Sequence, residues 1–225
     1  MSDKDFFRGS KNPVGLFQSL HFDSQFYQAH PDFFHPCGIW VFTGPQGSGK
    51  TLSAVKCVKE LKKAYPAAIV CSNLFIDLPD IIPFTEYEQI KTLSNGEKGI
   101  IFLIDEIHVL WNSLESKNIP ISEMAVFSQM RKDRRVIIGT SQVYGRIAKP
   151  IREQLRYAIV CKSYLKYLQV NEVLDPNGEG CRGENDGELD AERIYLSWFF
   201  HRPSDYTAYN TYTKINRLER KKGVK

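Results

Sequence analysis

The stretch GPQGSGKT, residues 44–51, decides how this chain folds. It fits the pattern G-x-x-x-x-G-K-[ST], in which every fixed position has a physical task. The glycines let the backbone curl until several N–H groups point at one phosphate chain. Lys50 supplies a mobile charge that reaches the β and γ phosphates of a nucleotide. The Thr51 hydroxyl is placed to ligate Mg²⁺. A helix opening at this point adds the positive end of its dipole to the same anion site. The nucleotide-contacting set is therefore Gly44, Pro45, Gln46, Gly47, Ser48, Gly49, Lys50, Thr51 and Leu52. Chance alone produces such a match in about one chain in a hundred of this length.

The flanks supply the context that the motif needs. GIWVF (38–42) is an apolar run of strand length, directly before the loop. After it Leu52, Val55, Val58, Leu61 and Ala64 recur at helical spacing with lysines between them. Further strands are expected at AAIVC (67–71), GIIFLID (99–105) and RVIIGTS (135–141). A fifth opens RYAIVCKSYLKYLQV (156–170) and either stops there or runs on as one longer strand; RIYLSWFF (193–200) is expected to pair back as a hairpin. Helices are expected at 84–93, 121–130 and 147–155. GIIFLID is apolar throughout, as a strand buried on both faces must be. Strands alternating with helices predict an α/β fold. Its mostly parallel central sheet is flanked by helices and ends in a C-terminal β-hairpin.

Chemistry collects at the ends of these strands. A carboxylate closing a buried strand beside the phosphate loop, Asp105, can hold Mg²⁺, and the adjacent Glu106 can act as general base toward an attacking water. A further strand, 67–71, is expected to lie between the loop strand and this one. That order points to the catalytic-glutamate (ASCE, RecA-type) branch of the P-loop NTPases, and no NKxD guanine reader is present. Gln142, closing the strand RVIIGTS, is a candidate to sense the γ-phosphate or position water. Upstream, Arg131, Lys132, Arg134 and Arg135 form either a solvated turn, an arginine finger or a DNA phosphate contact. Arg131 is the finger candidate carried forward, with Arg152 and Arg156 as further ones. The expected catalytic set is Lys50, Glu106, Gln142 and Arg131; the expected metal ligands are Thr51 and Asp105.

Composition narrows the remaining classes. With 225 residues, 42% hydrophobic and 25% charged, the chain can bury a core and is neither disordered nor fibrous. No apolar run approaches the roughly 18 residues of a membrane span. Five cysteines without a CxxC read as reduced thiols of a reducing cytosol. His30, His35 and Cys37 lie close in sequence, but no fourth ligand follows at finger-like spacing. The net charge of +4 permits a polyanionic partner without requiring one. Three segments are expected: an aromatic-rich lead-in (1–37), an ATPase domain (38–210) with an acidic flexible loop at 175–192, and a basic tail (211–225).

Taken together, GPQGSGKT, CSN with Asn73, LIDE, MRKDRRVIIGTSQ and IREQLR resemble the FtsK–HerA superfamily of ring-forming DNA translocases, over about residues 38–162. The likeness is to its compact viral branch, the zonular occludens toxin-like proteins and genome-packaging ATPases. YTAYNTYTKI near the C-terminus is similar to a Tyr-Asp-Thr-rich family ending, with Asn210 where the Asp would stand. The resemblance implies ATP and Mg²⁺ as cofactors and a homo-oligomeric ring, a pentamer or hexamer. It implies double-stranded DNA as the translocated partner, capsid vertex proteins as further partners and the host cytoplasm as the place of action. Without a visible transmembrane segment, a packaging motor is favoured over one for phage extrusion or plasmid transfer. A nucleotide-binding assembly switch and a small-molecule kinase are the other readings.

Overall fold

A computed structural model of the chain describes residues 29–30, 33–114, 121–177, 191–207 and 209. Most of the 1–37 lead-in, most of the acidic 175–192 loop with Cys181, Asn210 and the basic tail lie outside the described residues. The chain divides into two units, Met1–Phe33 and Phe34–Lys225, and the second carries the sheet.

The elements of that unit are β1 (Gly38–Thr43), α1 (Lys50–Ala64), β2 (Ile69–Ser72), β3 (Ile81–Pro83), α2 (Gln89–Thr92), β4 (Ile100–Ile104), α3 (Ile121–Gln129), β5 (Arg135–Ser141), α4 (Lys149–Arg152), β6 (Leu155–Tyr164), β7 (Leu168–Asp175), β8 (Glu192–Phe200) and α5 (Pro203–Thr207). Among the described residues the strands form one sheet in the order β3-β2-β4-β5-β1-β6-β7-β8. β3 through β6 in that order run parallel, and β7 and β8 are antiparallel additions. This is the expected α/β fold with a C-terminal hairpin.

Two apolar layers cover the sheet, and β4 and β5 show why. Every residue of both strands is buried. Side chains alternate across a strand, so Ile100, Phe102 and Ile104 join Trp111, Tyr87 and Phe127 on one face. Ile101 and Leu103 join Val55, Val58 and Phe42 on the other. The apolar stripe of α1 thus finds its partner in the alternate residues of three strands. Its last turn carries Lys62 and Lys63 at the negative end of the helix dipole, and Lys62 Nζ donates to the Pro66 and Ala68 carbonyls. Among the described residues no helix is long and apolar enough to cross a membrane.

Three expectations need correction. The helix expected over 84–93 shrinks to α2, because the Gln89 side chain organises the residues before it. Its Oε1 accepts from the Thr85 and Glu86 N–H groups, and its Nε2 donates to Pro83 O at 2.9 Å. The helix expected over 147–155 shrinks to α4, since Ile147 bridges to Asn112 and Leu155 already belongs to β6. The long strand over 156–170 is two strands. Leu165 and Lys166 both take positive φ, 52° and 62°, and turn the chain back on itself. Neither residue type signals such a turn, which favours Gly and Asn.

Candidate functional site

Parallel register brings the motifs together. Thr43 lies beside Ser141, and Ile104 lies beside Gly139. The strand between β1 and β4 is β5, not the expected 67–71 strand, which pairs on the far side of β4 as β2. The phosphate loop after β1, Asp105–Glu106 after β4 and Gln142 after β5 therefore leave the sheet at one edge. Ligands of open α/β sheets bind at this carboxyl edge.

The loop turns into α1 through Gly49, which caps the helix in the left-handed region at φ 81°. A side chain is disfavoured there by that conformation, and a Cβ would force the amide of Gln169 to shift. Lys50 is buried, and its Nζ donates to Pro45 O at 2.9 Å, across the loop.

Asp105 is the hub. Its Oδ1 accepts from Thr51 Oγ1 at 3.2 Å and from Thr140 Oγ1 at 2.6 Å. Asn73 clasps its main chain, accepting from Asp105 N–H at 2.8 Å and donating to its carbonyl at 3.1 Å. Burial is the largest influence on the carboxyl and pushes its pKa up. The Thr140 hydrogen bond opposes that, the Glu106 charge adds to it, and the Thr51 hydrogen bond and Lys50 charge oppose it again.

Glu106 stands in the left-handed region, φ 55°. Such strain in a non-glycine residue persists only where the surroundings enforce it. Here Thr140 Oγ1 accepts the Glu106 N–H at 2.9 Å, and the Glu106 carbonyl accepts from Val109 N at 2.8 Å. The carboxylate is hydrogen-bonded at Oε1, and its Oε2 is buried beside His108 without a hydrogen bond among the described residues. Gln142 Nε2 donates to Oε1 at 3.1 Å, and His108 Nδ1 lies 3.1 Å from Oε2. Ser141 Oγ donates to Val143 O, which leaves it an acceptor toward His108 Nδ1 at 3.4 Å. Lys50, Thr51, Asp105, Glu106 and Gln142 are thus assembled at one edge.

The arginines are not part of that assembly. Arg131 is exposed on the turn leading into β5. That is the opposite end of a seven-residue strand from Gln142, roughly 20 Å away at the usual rise. Arg135 is no finger at all. It is buried, and its Nη1 and Nη2 donate to the Ile90 and Lys91 carbonyls at the end of α2. Arg156, at the N-terminal end of β6, donates to Cys37 Sγ at 2.7 Å, and Arg152 lies over the Tyr144 ring.

Sequence reasoning missed His108 and two residues of β7. Gln169, fully buried, donates to Ser48 O at 2.9 Å and to Asn171 Oδ1 at 3.1 Å. Asn171 Oδ1 also accepts from Ser53 Oγ of α1 at 3.0 Å. The available signal was two amides at i and i+2, on the inward face of a strand that is otherwise apolar there.

The raised Asp105 carboxyl sets a pH dependence. A carboxyl whose pKa rises on folding stabilises the fold below its ordinary range, and that contribution is lost as pH climbs through the raised value. Above that value the carboxylate works against the nucleotide-free fold. Asp105→Asn keeps an oxygen for Thr51 and Thr140 to donate to. It is expected to raise the melting temperature at pH 7, with the gain shrinking on acidification. Thermal melts followed by circular dichroism across pH check this, and a lower melting temperature at pH 7 would sink it.

Comparison with known proteins places the fold. The N-terminal domain of zonular occludens toxin from Neisseria meningitidis shares the fold, with a TM-score of 0.56 at 16% identity, over 77% of this chain and 99% of that one. The DNA-packaging ATPase B204 from Sulfolobus Turreted Icosahedral Virus gives a TM-score of 0.48 at 12% identity, over 64% of this chain and 94% of that one. No curated protein sequence matches. The profile of the ATPase family associated with various cellular activities (AAA) matches residues 40–163, from the loop strand to the far side of β6. That span is more than half of the 225 residues; the chain belongs to the AAA family of P-loop ATPases.

Proposed function

We propose that this ATPase hydrolyses Mg²⁺-ATP to move double-stranded DNA, as a genome-packaging motor working in a homo-oligomeric ring. The observation that carries the catalytic part is the Glu106 carboxylate, bonded by Gln142 and flanked by His108, beside the Asp105–Thr51 pair. The residues present fit the cation: a hydroxyl and a carboxylate are the hard oxygen donors that Mg²⁺ takes. Thr51 and Asp105 would hold it, and when bound it would neutralise charge on the β and γ phosphates.

The chain's own residues do the rest. The loop N–H groups bind the phosphates. Lys50 gives up its bond to Pro45 O and turns its ammonium to the β and γ oxygens. Gln142 orients Glu106, which takes a proton from the attacking water as the new bond to γ-phosphorus forms. The β–γ bridging oxygen then leaves with ADP. Arg131, exposed at the far edge of the sheet, is free to act in trans on a neighbouring subunit's nucleotide. Arg131 and Lys132 also present charge to a phosphate backbone. Action in the host cytoplasm and docking on a capsid vertex follow from the same reading.

Phosphate release from ATP, measured with and without long double-stranded DNA, tests the coupling. Several-fold stimulation by DNA is expected, weakening as salt rises. Hydrolysis indifferent to DNA overturns the translocase reading, and ATP binding without hydrolysis leaves an assembly switch.

A further inference from the structure

The C-terminal hairpin reaches back to the phosphate loop through one side chain. Gln169 is fully buried in β7, opposite Ser163 of β6, with its amide against the loop-to-α1 junction. A buried amide is costly unless its donors and acceptor are satisfied. Both donors of Nε2 are in use, on Ser48 O and on Asn171 Oδ1. His201 Nε2, just past β8, lies 3.4 Å from Oε1. Leu or Met would fill the same volume without this burden. The amide is thus explained by what it holds.

What it holds is a peptide plane. The Ser48–Gly49 peptide is rigid and trans, so its carbonyl and the Gly49 N–H point in opposite directions. Fixing Ser48 O toward β7 aims the Gly49 N–H away from β7, the direction it must take to meet a phosphate. The amide lies close against Gly49, and a Cβ there would force it to shift. Asn171 completes the brace by taking the Ser53 hydroxyl from the first turn of α1.

We infer that Gln169 is a positioning residue for the phosphate loop, which pre-sets the Ser48–Gly49 peptide for ATP before ATP arrives. It rests on the reading of the loop as an ATP site. A pre-set N–H serves ground state and transition state alike, so its loss raises KM and leaves kcat nearly unchanged.

The test uses the full chain and Mg²⁺-ATP, at a temperature where every variant is folded by near-ultraviolet circular dichroism. Gln169→Met keeps the volume and removes the donors. It is expected to weaken ATP binding by calorimetry, and to raise KM, by about tenfold, with kcat within about twofold. Gln169→His returns an N–H at nearly the same reach and is expected to recover affinity to within about threefold. Should the Met variant fail to fold, Gln169→Glu keeps size and polarity without the N–H and must show the loss instead. A donor-free variant that folds and binds ATP like wild type overturns the inference while the ATP site stands. A wild type that binds no ATP overturns both.

Discussion

Glu106→Gln is expected to lower kcat for ATP hydrolysis by about 100-fold or more, the range lost with a general base, while ATP affinity stays within about threefold of wild type. The substitution exchanges one carboxylate oxygen for an amide nitrogen and changes little else. The left-handed backbone at Glu106 is enforced by Thr140 and Val109 through main-chain groups that remain. Gln142 Nε2 can still donate to the remaining oxygen. What disappears is the capacity to take a proton. Phosphate release under saturating ATP, paired with calorimetric titration of ATP, separates the two effects. A variant that keeps a third of the wild-type rate would remove Glu106 from the mechanism.

Trp111→Ala is expected to be the most destabilising of the substitutions considered, at about 3–5 kcal/mol. For a chain of this size that lowers the melting temperature by roughly 6–20 °C. Trp111 is fully buried. Its ring meets Phe127 edge-on at 5.1 Å and Tyr87 at 6.0 Å. Its main chain ties two segments together, accepting from Ala148 N at 2.9 Å and donating to Ile107 O at 3.2 Å. It therefore anchors the turn that follows Asp105 and Glu106. The indole N–H finds no acceptor among the described residues, so Trp111→Phe keeps the ring contacts without that donor and is expected to cost much less. Chemical denaturation of the three proteins gives the order directly. Equal stability of the Ala variant and wild type would contradict the packing.

The parts of this molecule that were legible in the sequence are those whose cause is local. The phosphate loop is a single eight-residue pattern. β4 and β5 announce themselves as apolar runs, because parallel strands buried on both faces cannot alternate. α1 shows its stripe because one side faces the sheet. Asp105, Glu106 and Gln142 were found because strand ends in a parallel sheet fall at a common edge. The parts that were not legible depend on distant partners. β3 is three residues long, ends in Pro83 and exists only because β2 offers it an edge. Arg135 looks like one more charge in a basic turn, yet it is buried because α2 presents two free carbonyls 44 and 45 residues upstream. Gln169 stands 121 residues from the carbonyl it holds. His108 gains meaning only from the left-handed turn at Glu106, which brings its ring back to the carboxylate.

The placement of β1 in the sheet also governs the order of events on the ribosome. β1 is made early, but both of its neighbours come late: Gly38 pairs beside Val136, and Ile39 beside Leu155. At bacterial-like synthesis rates of about 5–20 residues per second, the first partner strand follows β1 by roughly 5–20 s. Through that interval the nascent loop strand has two open edges and only α1 to cover it, and open edges are where strands mispair. The walls that Asp105 and Gln142 supply come only with β4 and β5, so the loop strand of this ATPase is set in place late. Chains arrested before β5 are expected to be the ones that leave both its edges bare.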